Sequence, residues 1–409
     1  MNPKRLVGVC LTLVTLQPVA TAVAQVSTPT EGLTLTQALT SLTSVAGSAS
    51  SGQAIALSTA IEVATAPLGT SSAGFAFELD PTTGLQVRKA TTFGPAFADR
   101  VLTMGAGKMS VAANLAVATY DRLGDFKLID MKLSSIAGTS PGLNQTGRAS
   151  LAMSSQTMVL YGAIGATETL DLSVAVPVVK VKLEGLSWVD NELVGVSRRA
   201  EAAGVSTGLG DIALMAKYRL LKFGEGNPDP GGLAIVGTMR LPTGDRDNLR
   251  GLGVTRTLAS VVASAGRGRF RPHGSAGFEF WSAGIEVATH PEEPTSATAK
   301  HQIQYAGGVE YEATPKVTLI GDLIGRHILG AGRVDLRSFE PDPAAAKLGV
   351  TSIEAVVGLP QGIRKITLAP GLKWNVKGTV LVSVSALIPL FDQGVYDQFT
   401  PVVGLDWTF

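Results

Sequence analysis

The stretch Thr400-Pro401-Val402-Val403-Gly404-Leu405-Asp406-Trp407-Thr408-Phe409 decides how the rest of the chain is read. Taken in steps of two, one face carries Val403, Leu405, Trp407 and Phe409, and the other Val402, Gly404, Asp406 and Thr408. Strand side chains point alternately to opposite sides, so one side is apolar and aromatic and the other small or polar. The sequence stops at Phe409, and nothing follows to cover the apolar side. Two surroundings suit such a strand: the interior of a soluble sandwich, or lipid.

Composition narrows the choice. Of 409 residues, 45% are hydrophobic and 16% charged, against about 25% charged in an average soluble domain. The sequence after the first residues has no apolar run long enough for a spanning helix, which needs roughly 18 residues or more. So apolar a chain needs another place for its oily surface. The net charge of +1 argues against a nucleic-acid binder, which needs a basic stripe. Met1 to Ala24 reads as a cleaved secretory signal: Lys4 and Arg5, a Leu/Val-rich core, then Ala22-Val23-Ala24. A retained anchor is the other reading of those residues. Cys10, the only cysteine, lies inside the signal without a lipoprotein context, so the mature chain has no disulfide, thiol nucleophile or Cys metal site.

Residues 25–72 are rich in Ala, Ser, Thr and Leu, with Leu35, Leu39, Leu42 and Val45 at helical spacing and Ile55, Ile61 and Val63 less cleanly so. They read as a pair of short helices at or inside a barrel mouth, or as a low-complexity tether. Residues 74–80 and 84–90 read as a small hairpin. From Lys108 the chain is a string of long alternating runs near 108–120, 149–163, 168–182, 207–221, 231–243, 254–265, 268–281, 300–312, 316–328, 364–374, 379–391 and 399–409. Soluble strands average about 5–6 residues, whereas a tilted spanning strand needs about 9–11. Connections alternate too: short ones such as 165–167 and 313–315, long ones such as 121–148, 183–206 and 329–363. That pattern belongs to an outer-membrane barrel.

The expected architecture is therefore all-β: an antiparallel transmembrane outer-membrane β-barrel of about twelve strands over 107–409, behind a signal (1–24) and an N-terminal plug or periplasmic extension (25–106). An even strand count puts both termini in the periplasm. Tyr120, Trp188, Phe278, Phe280, Trp281, Tyr311, Trp374, Phe391, Trp407 and Phe409 lie near strand ends, where interfacial aromatics collect. The two runs 149–163 and 254–265 alternate poorly and leave their register open.

The C-terminal strand resembles the closing strand of Gram-negative outer-membrane barrels. That resemblance implies that Leu405, Trp407 and Phe409 form an insertion signal read by the barrel-assembly machinery, with outer-membrane lipid as the other partner. Gly208-Leu209-Gly210-Asp211-Ile212 leading to Lys217-Tyr218-Arg219, then Leu241-Pro242-Thr243-Gly244-Asp245, resembles the outer-membrane channels grouped with the phenol-degradation "MetA pathway" proteins. Phe93-Gly94-Pro95 through Lys108 and Ala175-Val176-Pro177-Val178-Val179 fit the same pattern. The resemblance runs from about residue 90 to the end on short motifs. It implies a porin-like channel for passive transport of small hydrophobic or aromatic solutes, without a cofactor.

With the oily face on lipid, the inward face collects Asp171, Asp211, Lys217, Arg219, Arg240, Arg271, Glu279, Glu310, Asp322, Arg326, Lys373 and Asp406 as solute-lining candidates, together with Arg269, His273 and Lys365. Charges inside a membrane are costly unless they face an interior or water. These either pair with one another to hold the barrel shut or set which solute passes. Lys217, Arg219 and Arg240 on adjacent strands suggest a basic patch partnered by Asp211 and Asp171. Asp245 and Asp247 suit a divalent cation less well than a turn. Two Gly-x-Ser-x-Gly stretches, around Ser140 and Ser206, match a nucleophile elbow in letters but lack its strand-to-helix setting. Transport is the leading expectation, ahead of a structural or adhesive barrel and of an outer-membrane lipase; no catalytic or metal residue is assigned.

Overall fold

A computed structural model describes residues 24–27, 32–67, 69, 74–79, 84–224, 230–287 and 297–409. Nearly all of the expected signal, the turn of the expected N-terminal hairpin and His290 lie outside these.

Strands β1 (Met109–Tyr120), β2 (Gln145–Gly165), β3 (Leu170–Asn191), β4 (Gly195–Leu209, resuming Ala213–Lys222), β5 (Gly231–Arg240), β6 (Arg256–Ala265), β7 (Phe270–Trp281), β8 (Gln302–Thr314), β9 (Val317–Ile328), β10 (Ile363–Lys377), β11 (Val380–Asp392) and β12 (Thr400–Thr408) each pair antiparallel with the next. β12 then pairs with β1, Thr408 opposite Ser110 and Val402 opposite Ala116, which closes a twelve-stranded barrel. Closure removes the edge strands within the barrel, so its spanning strands pair on both sides.

The period-two reading of the faces holds around the ring. Leu115, Leu160, Leu214, Tyr218, Ile235, Ile303, Leu323, Val384 and Leu405 are exposed on the outside. Their sequence neighbours carry the polar side chains inward. On β1 the outward apolar row runs from Met109 to Val117, about 27 Å along the strand, enough once tilted for a lipid band of roughly 25 Å. The aromatics divide. Phe278, Phe280, Trp374, Phe391, Trp407 and Phe409 are exposed on the lipid side, but Tyr120 and Trp281 are buried inside. A one-residue step changes the face, so Phe280 outward forces Trp281 inward. Trp188 lies beyond the apolar band and donates to Asp190.

The expected loops 121–148 and 183–206 are largely strand. β3 continues to Asn191 and turns back into β4 within Glu192–Val194. Beyond Val178 its outward residues are Lys180, Lys182 and Glu184, so the hairpin leaves the lipid and projects roughly 35 Å further. Strands Met131–Gly138, Val350–Gly358 and Val334–Phe339 widen this projecting sheet. Past Phe339 the chain leaves this sheet, and Pro343–Lys347 form a short helix.

Helices α1 (Leu35–Val45) and α2 (Ala49–Thr65) lie against the inner side of the projection. Thr34 caps α1 in a reciprocal box with Gln37, and Ser48 caps α2. Leu39, Leu42, Ile55 and Ile61 are fully buried among Leu151, Met153, Val181 and Leu183 of the wall; each contributes about 1.5–3 kcal/mol. Close approach needs glycine: a Cβ on Gly147 would fall 1.9 Å from the Ala46 carbonyl oxygen. The chain then descends through the lumen to the short-turn end, where the Gly107 amide donates to the Gly165 carbonyl. The first described residues, Ala24–Ser27, run parallel to Arg198–Glu201 on the projection. The described N-terminal part thus begins at the long-loop end, opposite Phe409. Having entered at the far mouth, the chain must cross the lumen to reach β1.

Leu115→Arg, near the middle of the apolar row, is expected to cost about 2–4 kcal/mol and Met109→Arg, at its edge, about 0–1 kcal/mol. Denaturant unfolding in lipid bilayers measures both.

Candidate functional site

Among its described residues, the segment between α2 and β1 has one short hairpin, Phe77–Leu79 with Gln86–Arg88. The Phe77 amide also donates to the Met104 carbonyl at 3.0 Å and the Lys89 amide to the Ala76 carbonyl at 2.9 Å, and other backbone groups must find partners outside the segment. The wall supplies them. Asp322 Oδ2 accepts from the amides of Ala96, Phe97 and Ala98 at 3.0, 2.9 and 3.3 Å, and Oδ1 meets His273 Nε2 at 2.9 Å. Glu310 accepts from the Gly94 amide at 2.9 Å and lies 3.6 Å from Arg100 Nη1. Asp171 accepts from the Met104 amide at 3.0 Å beside Lys217 Nζ at 3.4 Å. Bases serve the carbonyls: Lys217 donates to Leu102 at 2.8 Å, and Lys373 to Pro95 at 2.7 Å and Phe93 at 3.3 Å. Gly94, at φ +82°, makes the turn that brings these amides to the wall, in a region L residues avoid.

A second charged level lies nearer the helices. Glu62 of α2 bonds Lys365, which also holds Asp392 at 2.9 Å. Arg326 donates to the Thr65 carbonyl and hydroxyl and stands 3.7 Å from Glu62. Arg256 reaches Asp211 at 3.1 Å and Glu279 at 3.6 Å, while Arg240 is 3.8 Å from Glu279.

Asp171, Asp211, Lys217, Arg219, Arg240, Arg271, Glu279, Glu310, Asp322, Arg326, Lys373 and Asp406 all sit on the lumen side, and eleven of them have a partner in the contacts above, in Lys373 beside Asp406, or in Arg219 on the Glu168 carbonyl. His273 and Lys365 are inward as expected, whereas Arg269 is exposed at a turn. The expected basic patch is split. Arg240 faces Ala213 across the sheet and Lys217 faces Val236, so Arg240 is about 13 Å along the strands from Lys217. Asp211 pairs with Arg256 instead.

The two short motifs form one unit. Thr243 Oγ1 donates to the Gly210 carbonyl at 2.6 Å and accepts from the Ile212 amide at 3.0 Å, and Asp211 accepts from the amides of Gly244 and Leu252. β4 is interrupted at this point. The same loop clasps α1: the Leu35 amide donates to Asn248 Oδ1 and the Thr36 amide to the Asp247 carbonyl. Asp245 accepts from Asn248 Nδ2 at 2.7 Å and from the Asn248 amide at 3.1 Å. These bonds, Asn248 first, with Arg250 beyond them, hold the Asp245 carboxyl below the usual range. Asp245 is therefore a turn residue. Ser140 is exposed in a loop, and Ser206, within β4, accepts from Arg250 Nε at 2.8 Å.

Phe97 separates two cavities. One of about 60 Å³ is lined by Ser110, Asn114, Tyr161, Ser383 and Asp406, and the other, of about 110 Å³, by Thr238, Arg240, Ser260, Met215 and Arg326.

No family model and no curated protein matches the chain. Solved structures do. An outer-membrane channel from Pseudomonas putida F1 aligns at TM-score 0.46 and 12% identity, over 75% of this chain and 97% of that one. The transport unit of the Escherichia coli autotransporter AIDA-I aligns at 0.37 and 12%, over 76% and 94%. A FadL homologue from Pseudomonas aeruginosa aligns at 0.32 and 12%, over 84% and 97%. The other matches include a porin and further autotransporter domains.

Four site residues escaped the sequence reading, among them Asp392, which lies just past the expected run 379–391. Glu62 is the only charged residue between Glu31 and Glu78, which was a legible signal. Arg100 sits among the quoted 93–108 residues, and Arg256 opens a strand whose alternation is poor.

With Ala98→Cys as probe, maleimide labelling is expected to be slow in the parent and at least about tenfold faster with Asp322→Ala, because three amides lose an acceptor worth about 1–3 kcal/mol each. Cys10 is the only native thiol. For Asp245 the sign is fixed by its lowered pKa: its contribution is full above the ordinary carboxylate value and is lost as pH falls through the folded one. Protease sensitivity around residues 33–36 should rise there, and Asp245→Asn should remove that pH dependence.

Proposed function

We propose that the protein is an outer-membrane channel for passive movement of small hydrophobic or aromatic solutes, with the long loops outside the cell and Phe409 on the periplasmic side. Outer-membrane lipid and the barrel-assembly machinery are its partners, the latter through Leu405, Trp407 and Phe409, and no catalytic step is assigned. The observation that carries this reading is the pair of cavities flanking Phe97 inside a closed barrel. Volume sets how it works. An apolar cavity of about 150 Å³ holds benzene, more than either the 60 or the 110 Å³ space. An aromatic ring therefore passes only when the Phe97 side chain or its segment moves. Half-apolar walls rimmed by hydroxyls suit a ring with one polar substituent.

The projecting sheet supports a second reading, a structural or adhesive barrel, because it places a broad charged wall beyond the lipid. Conductance and solute uptake in liposomes separate the two. The transport reading expects weak ion current with uptake of an aromatic solute in the parent, and severalfold faster uptake with Phe97→Ala. Deleting residues 25–72 should raise the current. Large currents in every form would favour an open aqueous pore, and silence in every form would favour the structural barrel.

A further inference from the structure

Most inward charges of this barrel are engaged, either with the backbone of the lumen segment or with a close opposite charge. Arg240 is different. Among the described residues its charge partner is Glu279 Oε2 at 3.8 Å, beyond hydrogen-bond distance. Glu279 is itself occupied, by Trp281 Nε1 at 2.8 Å, Gln304 Nε2 at 3.1 Å and Arg256 Nη1 at 3.6 Å. The Arg240 side chain keeps 13% exposure, and it lines the 110 Å³ cavity. Arg326, 6% exposed, lines the same cavity from β9, using Nη1 on Thr65 and leaving Nη2 with Glu62 at 3.7 Å. Behind this pair, Arg256 Nε and Nη1 are buried without a hydrogen bond among the described residues. Asp99 is the one acid in the cavity lining.

We propose that this cavity is a carboxylate site. Arg240 donates to one ligand oxygen, Arg326 Nη2 supports the other, and the apolar body of the ligand lies against Met215, Leu258, Ile324 and Phe97. Guanidinium geometry matches a carboxylate in a fork, and in a site of low dielectric an unused charged donor gains strongly from a ligand that completes it. At about 30 Å³ per water, a cavity of 110 Å³ holds a short-chain acid such as propionate. A benzoate-sized acid needs Phe97 displaced. The ligand class is thus small monocarboxylic acids with an apolar body. This inference rests on the channel reading for its biological use, but the site itself is tested by binding alone.

The test is saturation-transfer NMR on the full chain in nanodiscs, with propionate and its neutral isostere propionamide. Propionate is expected to bind saturably and at least about tenfold tighter than propionamide, about 1.4 kcal/mol. Arg240→Gln should erase that preference, and Arg240→Lys should restore part of it. Thr238→Leu, which fills the cavity without touching a guanidinium, should abolish binding of both. Equal binding of acid and amide, or a preference that survives Arg240→Gln, would overturn the site, and so would propionate binding unaffected by Thr238→Leu. Aromatic uptake without acid preference would leave the channel and remove the site. Acid preference without any uptake would leave the site and remove the channel.

Discussion

A backbone that crosses the inside of a barrel mostly outside helix and strand must find partners for its amides and carbonyls, and the rest of this structure depends on that constraint. Unpaired groups in a dry interior cost about as much as a whole hydrogen bond. Here the wall meets the need with ionised side chains. Asp322 alone takes three consecutive amides, Ala96 to Ala98. Carboxylates and ammonium groups make stronger bonds than neutral partners, so a few wall residues hold a long stretch of chain. The charges are in turn tolerated because each has the segment or another charge beside it.

The arrangement has two consequences. The lumen segment is bonded to the wall at several separated points, through Glu310, Asp322, Asp171, Lys217 and Lys373, so it behaves as part of the barrel and not as a loose tail. Its charges also complete those of the wall. Glu62 stands between Lys365 and Arg326, and Arg100 stands beside Glu310. What stays open is the space on either side of Phe97, and there the wall offers hydroxyls and the two guanidinium groups of Arg240 and Arg326. In the proposed channel, selectivity and occlusion would come from the same cluster of contacts.

Much of the barrel was legible because a period of two leaves little freedom once one face meets lipid. Leu214, Tyr218 and Leu220 could only be outside if Lys217 and Arg219 were inside. The spacing of Leu35, Leu39 and Leu42 likewise gave α1. The projecting hairpin was less legible, since beyond Val178 the outward face turns polar and its alternation looks like a loop. Tyr120 and Trp281 were misplaced because a single step in register exchanges faces. The partners of the inward charges were not legible at all. Pairing Asp322 with residues 96–98, more than two hundred positions away, is set by closure of the barrel and not by any local pattern. The motifs around Asp211 and Thr243 could be recognised, but not their joint task of interrupting β4 and clasping α1.

Amide hydrogen exchange of Gly94, Phe97, Ala98 and Met104 in lipid bilayers tests the central claim most directly. The account predicts protection comparable to that of the barrel strands, with these amides exchanging together. Exchange at the rate of an exposed loop would contradict it, because the segment would then not be bonded to the charged wall.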